Sequence, residues 1–334
     1  MPFIDDILKY KSLSIVGMEK NTGKTETLNY VIRRLNQQQK TLAVTSIGID
    51  GEHLDLVTNT HKPEIRLFEN MLFVTSEKHY HEKQLTAEIL DVSTRQTALG
   101  RLITGRVKIG GKIILSGPGN TVWLKKVIQQ MDMYNVATTL VDGALSRRSF
   151  GSPSVTESLI LTTGAALSPN IAEVVRKTKF VYSLINLPQY ETPLRDTLLE
   201  MEHGIWSIDK EQHLHNLHIP SIFLIDRHKE KLSACGNILF AGGMVSDKLL
   251  DTLRLQKNIS EMMLIVKDFT RIFANAESVN AFLRKGGKIK VLLKTKLIAL
   301  CINPVSPTGY VIDSGRLKSS LEENLHISVY NIKE

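Results

Sequence analysis

The sequence predicts an α/β protein with a parallel β-sheet in its first half and a second, C-terminal α/β domain. Three observations predict this fold. Short apolar runs alternate with segments that have the 3.6-residue period of amphipathic helices. Almost none of these runs has a polar residue at every second position, which is typical of parallel strands buried on both faces. A glycine-rich turn joins the first apolar run to the first helical segment.

The first half of the chain contains the clearest strand and helix patterns. Segment 24–38 has apolar residues at Leu28, Val31, Ile32 and Leu35, which is the spacing of a helix with one buried face. Ser168 and Pro169 predict the cap and first residue of another helix. The predicted helices are 24–38, 121–132 and 169–177, and the predicted strands are 12–16, 41–47, 71–75, 112–116, 138–141, 159–162 and 180–185.

The pattern weakens between Leu187 and Ile219, where prolines and charged residues interrupt it. We therefore predict three parts: an N-terminal α/β domain at 1–190, a connecting region at 191–220 and a C-terminal α/β domain at 221–334. The predicted strands of the last part are 221–225, 237–240, 263–266, 289–293, 297–302 and 328–331.

The turn after the first strand has the composition of a P-loop. Its glycines and the start of the next helix would surround a nucleotide's phosphates with backbone N–H groups. Lys24 would reach the β- and γ-phosphates, and Thr25 would coordinate Mg²⁺. The predicted nucleotide-binding residues are Gly17, Asn21, Thr22, Gly23, Lys24, Thr25 and Glu26, on a P-loop NTPase-like parallel sheet. The loop therefore predicts that 1–190 is a P-loop nucleotide-binding domain.

This loop is one residue longer than the common P-loop, because Met18 stands where the first glycine is usual and Gly17 opens the loop instead. The Gly-x5-Gly-Lys-Thr spacing resembles the dethiobiotin synthetase branch of P-loop proteins more than the GTPase or helicase branches. A chance Gly-Lys-Thr in a helix-start loop is the alternative.

Two acidic residues at predicted strand ends are candidates for a catalytic and metal-binding role beside Lys24. Asp142 ends the strand 138–141, where a Walker B carboxylate would hold a metal-bound water. Asp50 ends the second strand, which we expect to lie beside the P-loop strand. The alternative for both is a turn aspartate that bonds its own backbone.

Other loop residues have two interpretations each. The stretch 116–121 follows a strand and precedes a helix, so it could approach a ligand or form only a tight turn. Arg147 and Arg148 could neutralise transition-state charge, although solvated surface arginines are the more common case.

The histidines and cysteines give little support for a metal site. His79-Tyr80-His81 and the histidines at 213, 215 and 218 have a spacing that zinc can use, but solvated loop histidines are the favoured interpretation. Cys235 and Cys301 lie in apolar surroundings, as buried reduced thiols do, and two cysteines are too few for a cysteine-based metal site.

Composition narrows the class of protein. A chain of 334 residues that is 42% hydrophobic can form about two domains. The net charge of +8 is spread along the chain without a block of like charges, so nucleic acid is an unlikely partner. No window has the length and apolarity of a membrane span, and we expect a cytoplasmic protein.

Four segments together resemble one known family over nearly the full length. They are the P-loop, the stretch 141–144, the stretch 97–118 and the segment 302–307, Ile-Asn-Pro-Val-Ser-Pro. The chain resembles the reactivating-factor subunit that accompanies lysine 5,6-aminomutase and related adenosylcobalamin-dependent aminomutases. The resemblance implies an ATP-dependent chaperone that exchanges damaged cobalamin on its mutase together with a partner ATPase, with Gly17, Gly23, Lys24 and Thr25 as the residues carried over.

Three functions remain open from the sequence. The first is this Mg-ATP-hydrolysing chaperone, whose partners would be an aminomutase and a second ATPase subunit. The second is an ATP-dependent ligase or kinase of the dethiobiotin synthetase type, and the third is a nucleotide held only as a structural or regulatory ligand. The sequence has no Asn-Lys-x-Asp guanine motif, which favours ATP over GTP, and it leaves a homodimer open.

Overall fold

A computed structural model of the chain describes residues 2–48, 64–144, 152, 155–219, 222–233 and 236–333. It divides into two units of mixed α/β structure. Unit 1 contains Met1–Lys179 together with Lys296–Glu334, and unit 2 contains Phe180–Thr295.

Unit 1 is built on a large sheet whose central strands are parallel. In chain order its elements are α1 Ile4–Ile7, β1 Ser12–Gly17, α2 Lys24–Asn36, β2 Leu42–Ser46, β3 Ile65–Leu67, β4 Leu72–Ser76, α3 Glu77–His81, β5 Gln84–Thr97, β6 Gly100–Ile113, α4 Thr121–Gln130, β7 Thr138–Ala144, β8 Ser158–Gly164 and α5 Ile171–Ile185. The boundary with unit 2 falls inside α5, after Lys179.

Unit 2 has a smaller sheet. Its elements are α6 Arg195–Glu200, β9 Ile205–Ile208, β10 Leu214–Asn216, β11 Ile238–Ala241, α7 Asp247–Arg254, β12 Met263–Val266, α8 Ala276–Arg284 and β13 Lys288–Val291. The sheet order is β10-β9-β11-β12-β13. Strands β11, β12 and β13 are parallel, whereas β9 is antiparallel to both of its neighbours.

The chain then returns to unit 1 as β14 Lys296–Asn303, α9 Ser314–Leu325 and β15 Val329–Asn331. The order of the first sheet is β15-β14-β8-β1-β7-β2-β4-β6-β3, and β5 pairs with β6. Pairing is parallel from β15 to β4 and antiparallel at β3, β5 and β6. The fold is therefore mixed α/β with a large, mostly parallel central sheet.

Apolar side chains on both faces explain why the central strands lack polar alternation. On one face, Leu13 and Ile15 of β1 pack with Leu28 and Ile32 of α2 in one fully buried cluster. On the other face, α4 contributes Leu124, which packs with Val141 of β7. Every residue of β1, β2, β4 and β8 is buried.

The structure divides the chain differently from the sequence prediction. Residues 296–334 do not belong to a separate C-terminal domain, because β14 pairs with β8 and β15 pairs with β14 in the first sheet. The first unit also ends at Lys179 rather than at residue 190. An apolar run has the same local pattern whichever parallel sheet it joins, so the boundary could not be located from that pattern.

Three predicted strands were wrong. Segment 180–185 is the end of helix α5, whose buried residues Val174, Leu184 and Ile185 keep helical spacing. The described part of 221–225 belongs to a 3-10 helical segment, Ile222–Ser233. The stretch 112–116 extends beyond β6, which ends at Ile113 and forms with β5 a long antiparallel hairpin that was not predicted.

Among the described residues, no helix combines the length and apolarity needed to cross a membrane.

Candidate functional site

The Gly17–Thr25 loop connects the carboxyl end of β1 to the first turn of α2. Strand β1 ends at Gly17 and α2 begins at Lys24, so the predicted order of strand, loop and helix is present. Helix α2 has 13 residues, and the N–H groups of its first turn have no acceptor within the helix. These groups and the positive end of the helix dipole point out of the carboxyl edge of the sheet.

Gly17 is needed because the Lys24 side chain crosses it. A Cβ added at Gly17 would lie 2.7 Å from Cγ of Lys24 and 2.5 Å from Oγ1 of Thr22. The aliphatic part of Lys24 therefore folds back over the loop, and the side chain is half-buried. Any larger residue at position 17 would displace the lysine.

Two left-handed residues shape the second half of the loop. Gly23 has a φ of 91° and Asn21 has a φ of 60°. A Cβ at Gly23 would lie 2.4 Å from Cδ1 of Ile332, so both the backbone conformation and the space require glycine. Left-handed residues such as these can turn successive N–H groups toward one point, the arrangement that binds anions.

Thr22 fixes the loop from inside. Its side chain is fully buried, and its Oγ1 donates to the carbonyl oxygen of Glu19 at 2.9 Å and lies 3.0 Å from Oγ1 of Thr162. The N–H of Met18 also donates to the carbonyl oxygen of Thr162, at 2.9 Å. We predicted Thr22 as a nucleotide-binding residue, but its side chain is buried and its hydroxyl bonds to Glu19 and Thr162, so it acts on the loop itself.

The predicted residues at the start of α2 lie together. Thr25 and Glu26 are half-buried in the first turn, next to Lys24. Oε1 of Glu26 accepts a hydrogen bond of 3.0 Å from Nζ of Lys333. Lys24 and Thr25 are thus placed where a phosphate group and a Mg²⁺ ion at the helix N-terminus would contact them, while Glu26 forms an ion pair.

Asn303 is a residue of this site that the sequence prediction missed. It ends β14, is 8% exposed, and its Nδ2 donates to the carbonyl oxygen of Asn21 at 3.2 Å. Its Oδ1 accepts from the N–H of Val305 at 3.2 Å. The side-chain amide of Asn303 thus fixes the loop backbone at Asn21. The available signal was Asn-Pro at the end of an apolar run, but that run was assigned to another domain.

Asp142 lies on the strand next to β1. In the parallel pair β1 and β7, Asp142 is opposite Ile15, two residues before Gly17. At about 3.3 Å per residue this puts Asp142 roughly 7 Å below the first glycine of the loop along the strand. Its carboxylate is partly buried, and its backbone carbonyl accepts a long bond of 3.4 Å from Oγ of Ser46. This position suits a carboxylate that contacts a metal ion through water.

The expectation for Asp50 rested on a wrong strand order. Asp50 itself lies outside the described residues, as do Arg147, Arg148 and Cys235. Its strand, β2, pairs with β7 and β4 rather than with β1. Strand β7, with Asp142, occupies the place beside β1 that we had expected for the strand before Asp50.

The stretch 116–121 is irregular and packs against the end of β2. A Cβ at Gly117 would lie 1.7 Å from the carbonyl oxygen of Ser46, so the two backbones are in contact. Gly48 donates to the carbonyl oxygen of Pro118 at 2.9 Å, and Gly117 donates to that of Gly48 at 3.0 Å. Asn120 caps α4 by accepting from the N–H of Trp123. These contacts favour the structural interpretation of this stretch.

Ser116 joins this stretch to a cluster of buried polar groups. Nδ1 of His79 is 2.9 Å from Oγ of Ser116, and both side chains are at most 2% exposed. Oγ of Ser116 also donates to Oγ of Ser76 at 2.7 Å. The expectation that His79 is a solvated loop residue was therefore wrong. The cluster fixes the 116–121 stretch to the end of β4, at Ser76, and to α3, which contains His79.

Cys301 of β14 is a buried, reduced thiol, as predicted. Burial raises the pKa of this thiol to about 12.

In comparisons with known proteins, the chain matches no protein-family model, no curated protein and no solved structure. The case for a function therefore rests on the residues of the site.

Proposed function

We propose that the chain is a Mg-ATP-binding P-loop ATPase that acts as an accessory reactivating factor of an adenosylcobalamin-dependent aminomutase. The observation that carries nucleotide binding is the position of Lys24, whose stem crosses Gly17 at the mouth of the Gly17–Thr25 loop. A lysine in this position places its ammonium group beside phosphates bound at the α2 N-terminus.

The residues present suit Mg²⁺ as well as phosphate. Hydroxyl and carboxylate oxygens are the protein ligands that magnesium prefers, and Thr25 and Asp142 supply one of each at the same edge of the sheet. Bound Mg²⁺ would neutralise charge on the β- and γ-phosphates. Asp50 remains a candidate from the sequence for the same role.

Several residues would act on the nucleotide indirectly. Thr22 and Asn303 hold the loop backbone in place before any ligand binds. Fixed donors lose little conformational entropy on binding, which raises affinity for a given set of contacts. The partner role rests on the family resemblance alone.

An ATP-dependent ligase or kinase is the second candidate, supported by the length of the loop. The contact between Gly117 and the end of β2 weakens it, because this stretch was the expected substrate loop. A nucleotide used only as a regulatory ligand is the third.

Calorimetric titrations with ATP, ADP and GTP test binding, and ATP turnover then separates the candidates. Turnover stimulated by the aminomutase or its second ATPase subunit supports the chaperone. Turnover stimulated by a small metabolite supports the ligase or kinase. Binding without turnover under any of these conditions supports a regulatory nucleotide, and absence of nucleotide binding contradicts all three.

A further inference from the structure

The turn between β9 and β10 in unit 2 brings together imidazole and carboxylate groups. Ligand atoms of Asp209, Glu211 and His213 lie within 4.8 Å of one another. Oδ2 of Asp209 is 3.4 Å from Nδ1 of His213 and 2.8 Å from Nε2 of His215. From sequence we expected solvated histidines, and His213 and His215 are indeed 72% and 42% exposed, but each is also paired with Asp209.

The local fold explains why these side chains converge. Alternate residues of a strand share one face, so His213 and His215 point to the same side. The hairpin then places Asp209 opposite His213, because the N–H of Asp209 donates to the carbonyl oxygen of His213 at 3.1 Å. Gln212, with a φ of 63°, makes the reversal between them.

The backbone orients the central carboxylate. Oδ1 of Asp209 accepts from the N–H of His213 at 2.8 Å, which leaves Oδ2 directed at the two imidazoles. Both carboxylate oxygens of Asp209 are therefore engaged, and its side chain is only 22% exposed.

The spacing of Asp209 and His213 is that of two ligands of one metal ion. Ligands about 2.1 Å from a tetrahedral zinc ion are separated from one another by roughly 3.4 Å. The distance from Oδ2 of Asp209 to Nδ1 of His213 already has this value. Imidazole nitrogens with carboxylate oxygens favour Zn²⁺ and similar transition metals over Mg²⁺ and Ca²⁺, which prefer oxygen ligands alone.

We propose that the β9–β10 turn binds one divalent transition-metal ion, best Zn²⁺, through Asp209, Glu211 and His213, whose ligand atoms already lie within 4.8 Å of one another. His215 orients the Asp209 carboxylate through its 2.8 Å hydrogen bond to Oδ2. This site belongs to unit 2 and is independent of the nucleotide-binding proposal.

Calorimetric titration of the full nucleotide-free chain with ZnCl2 tests the proposal. The double variant His213→Ala/His215→Ala should lose one equivalent of bound zinc, and Asp209→Asn should bind that equivalent at least about tenfold more weakly. His218→Asn is the matched control, since it removes a histidine of the same segment at a position whose φ of 48° asparagine accepts. Circular dichroism verifies that each variant is folded.

Unchanged zinc stoichiometry and affinity in the double variant would overturn the proposal, as would the absence of zinc binding to the wild-type chain. Millimolar Mg²⁺ should leave the bound zinc in place. Displacement of zinc by magnesium would mean that oxygen ligands alone hold it, which also contradicts the assignment.

Discussion

The side-chain amide of Asn303 donates a hydrogen bond of 3.2 Å to the backbone carbonyl oxygen of Asn21, across 282 residues of sequence. Asn21 lies in the Gly17–Thr25 loop and has a left-handed backbone. Asn303 ends β14, which follows unit 2 in the sequence. The conformation of the loop therefore depends on the last 39 residues of the protein, Lys296–Glu334, as well as on its own glycines.

This relationship predicts that Asn303→Ala weakens nucleotide binding. Loss of one buried hydrogen bond costs on the order of 1 kcal/mol, which is about a fivefold increase in the dissociation constant for Mg-ATP. Asn324→Ala on α9 is the matched control and should bind as the wild type does. Equal affinities for the two variants in a calorimetric titration would show that Asn303 does not position the loop.

Gly23→Ala should destabilise the fold more than Gly309→Ala does. The two glycines have nearly the same φ, 91° and 94°. Both substitutions therefore place a Cβ on a left-handed backbone, which costs about 1–2 kcal/mol of stability. Only Gly23 adds a steric contact, because its Cβ would lie 2.4 Å from Ile332 whereas that of Gly309 meets nothing within 4 Å. We expect an additional loss of about 1–3 kcal/mol in urea denaturation. Equal losses would contradict the close packing of Ile332 on the loop.

Local pattern was sufficient to predict the strand, loop and helix around Gly17, because all three are continuous in sequence. It could not predict the β5–β6 hairpin, since the residues of β5 are mostly half-buried or exposed and give a weak strand signal. It also could not predict Asn303, because a hydrogen bond between residues so far apart depends on which sheet β14 joins. The order of β2, β7 and β1 was missed for the same reason.

Asp142→Asn should slow the Mg²⁺-dependent turnover of ATP. Asparagine keeps the shape of the side chain but removes the negative charge that would hold a metal-bound water. We expect ATP turnover at saturating Mg²⁺ to fall by about 10²-fold or more, the range for loss of a group that stabilises transition-state charge. Asp132→Asn, on an exposed residue before β7, is the control. Identical turnover in both variants would exclude Asp142 from the site.

The ion pair between Glu202 and Lys267 should make the stability of unit 2 depend on pH. Nζ of Lys267, which is 5% exposed, donates to Oε1 of Glu202 at 2.8 Å. This hydrogen bond lowers the pKa of Glu202, so the stabilisation is present above the ordinary glutamate value of 4.5 and is lost as the pH falls through the lower, folded value. Because the Glu202 side chain is 60% exposed, solvent screening limits the effect of Glu202→Gln to about 1 kcal/mol at neutral pH.

This effect is measured as the free energy of unfolding in urea of the wild type and of Glu202→Gln, from neutral pH down to acidic pH. The difference in unfolding free energy should narrow as the pH falls below about 4.5. Glu200→Gln, two residues earlier, is the control and should show no such change. A difference that is constant with pH would mean that the ion pair with Lys267 does not stabilise the fold.

The most direct test of the central claim is an equilibrium titration of Mg-ATP into the wild type, Lys24→Ala and Lys20→Ala. Lys20 is an exposed lysine of the same loop, so the two variants lose the same charge at different positions. Removal of a charge-assisted contact with phosphate costs on the order of 2–3 kcal/mol. The account therefore predicts that Lys24→Ala binds about 30-fold to 150-fold more weakly and that Lys20→Ala binds nearly as tightly as the wild type. Undiminished affinity in Lys24→Ala would contradict it.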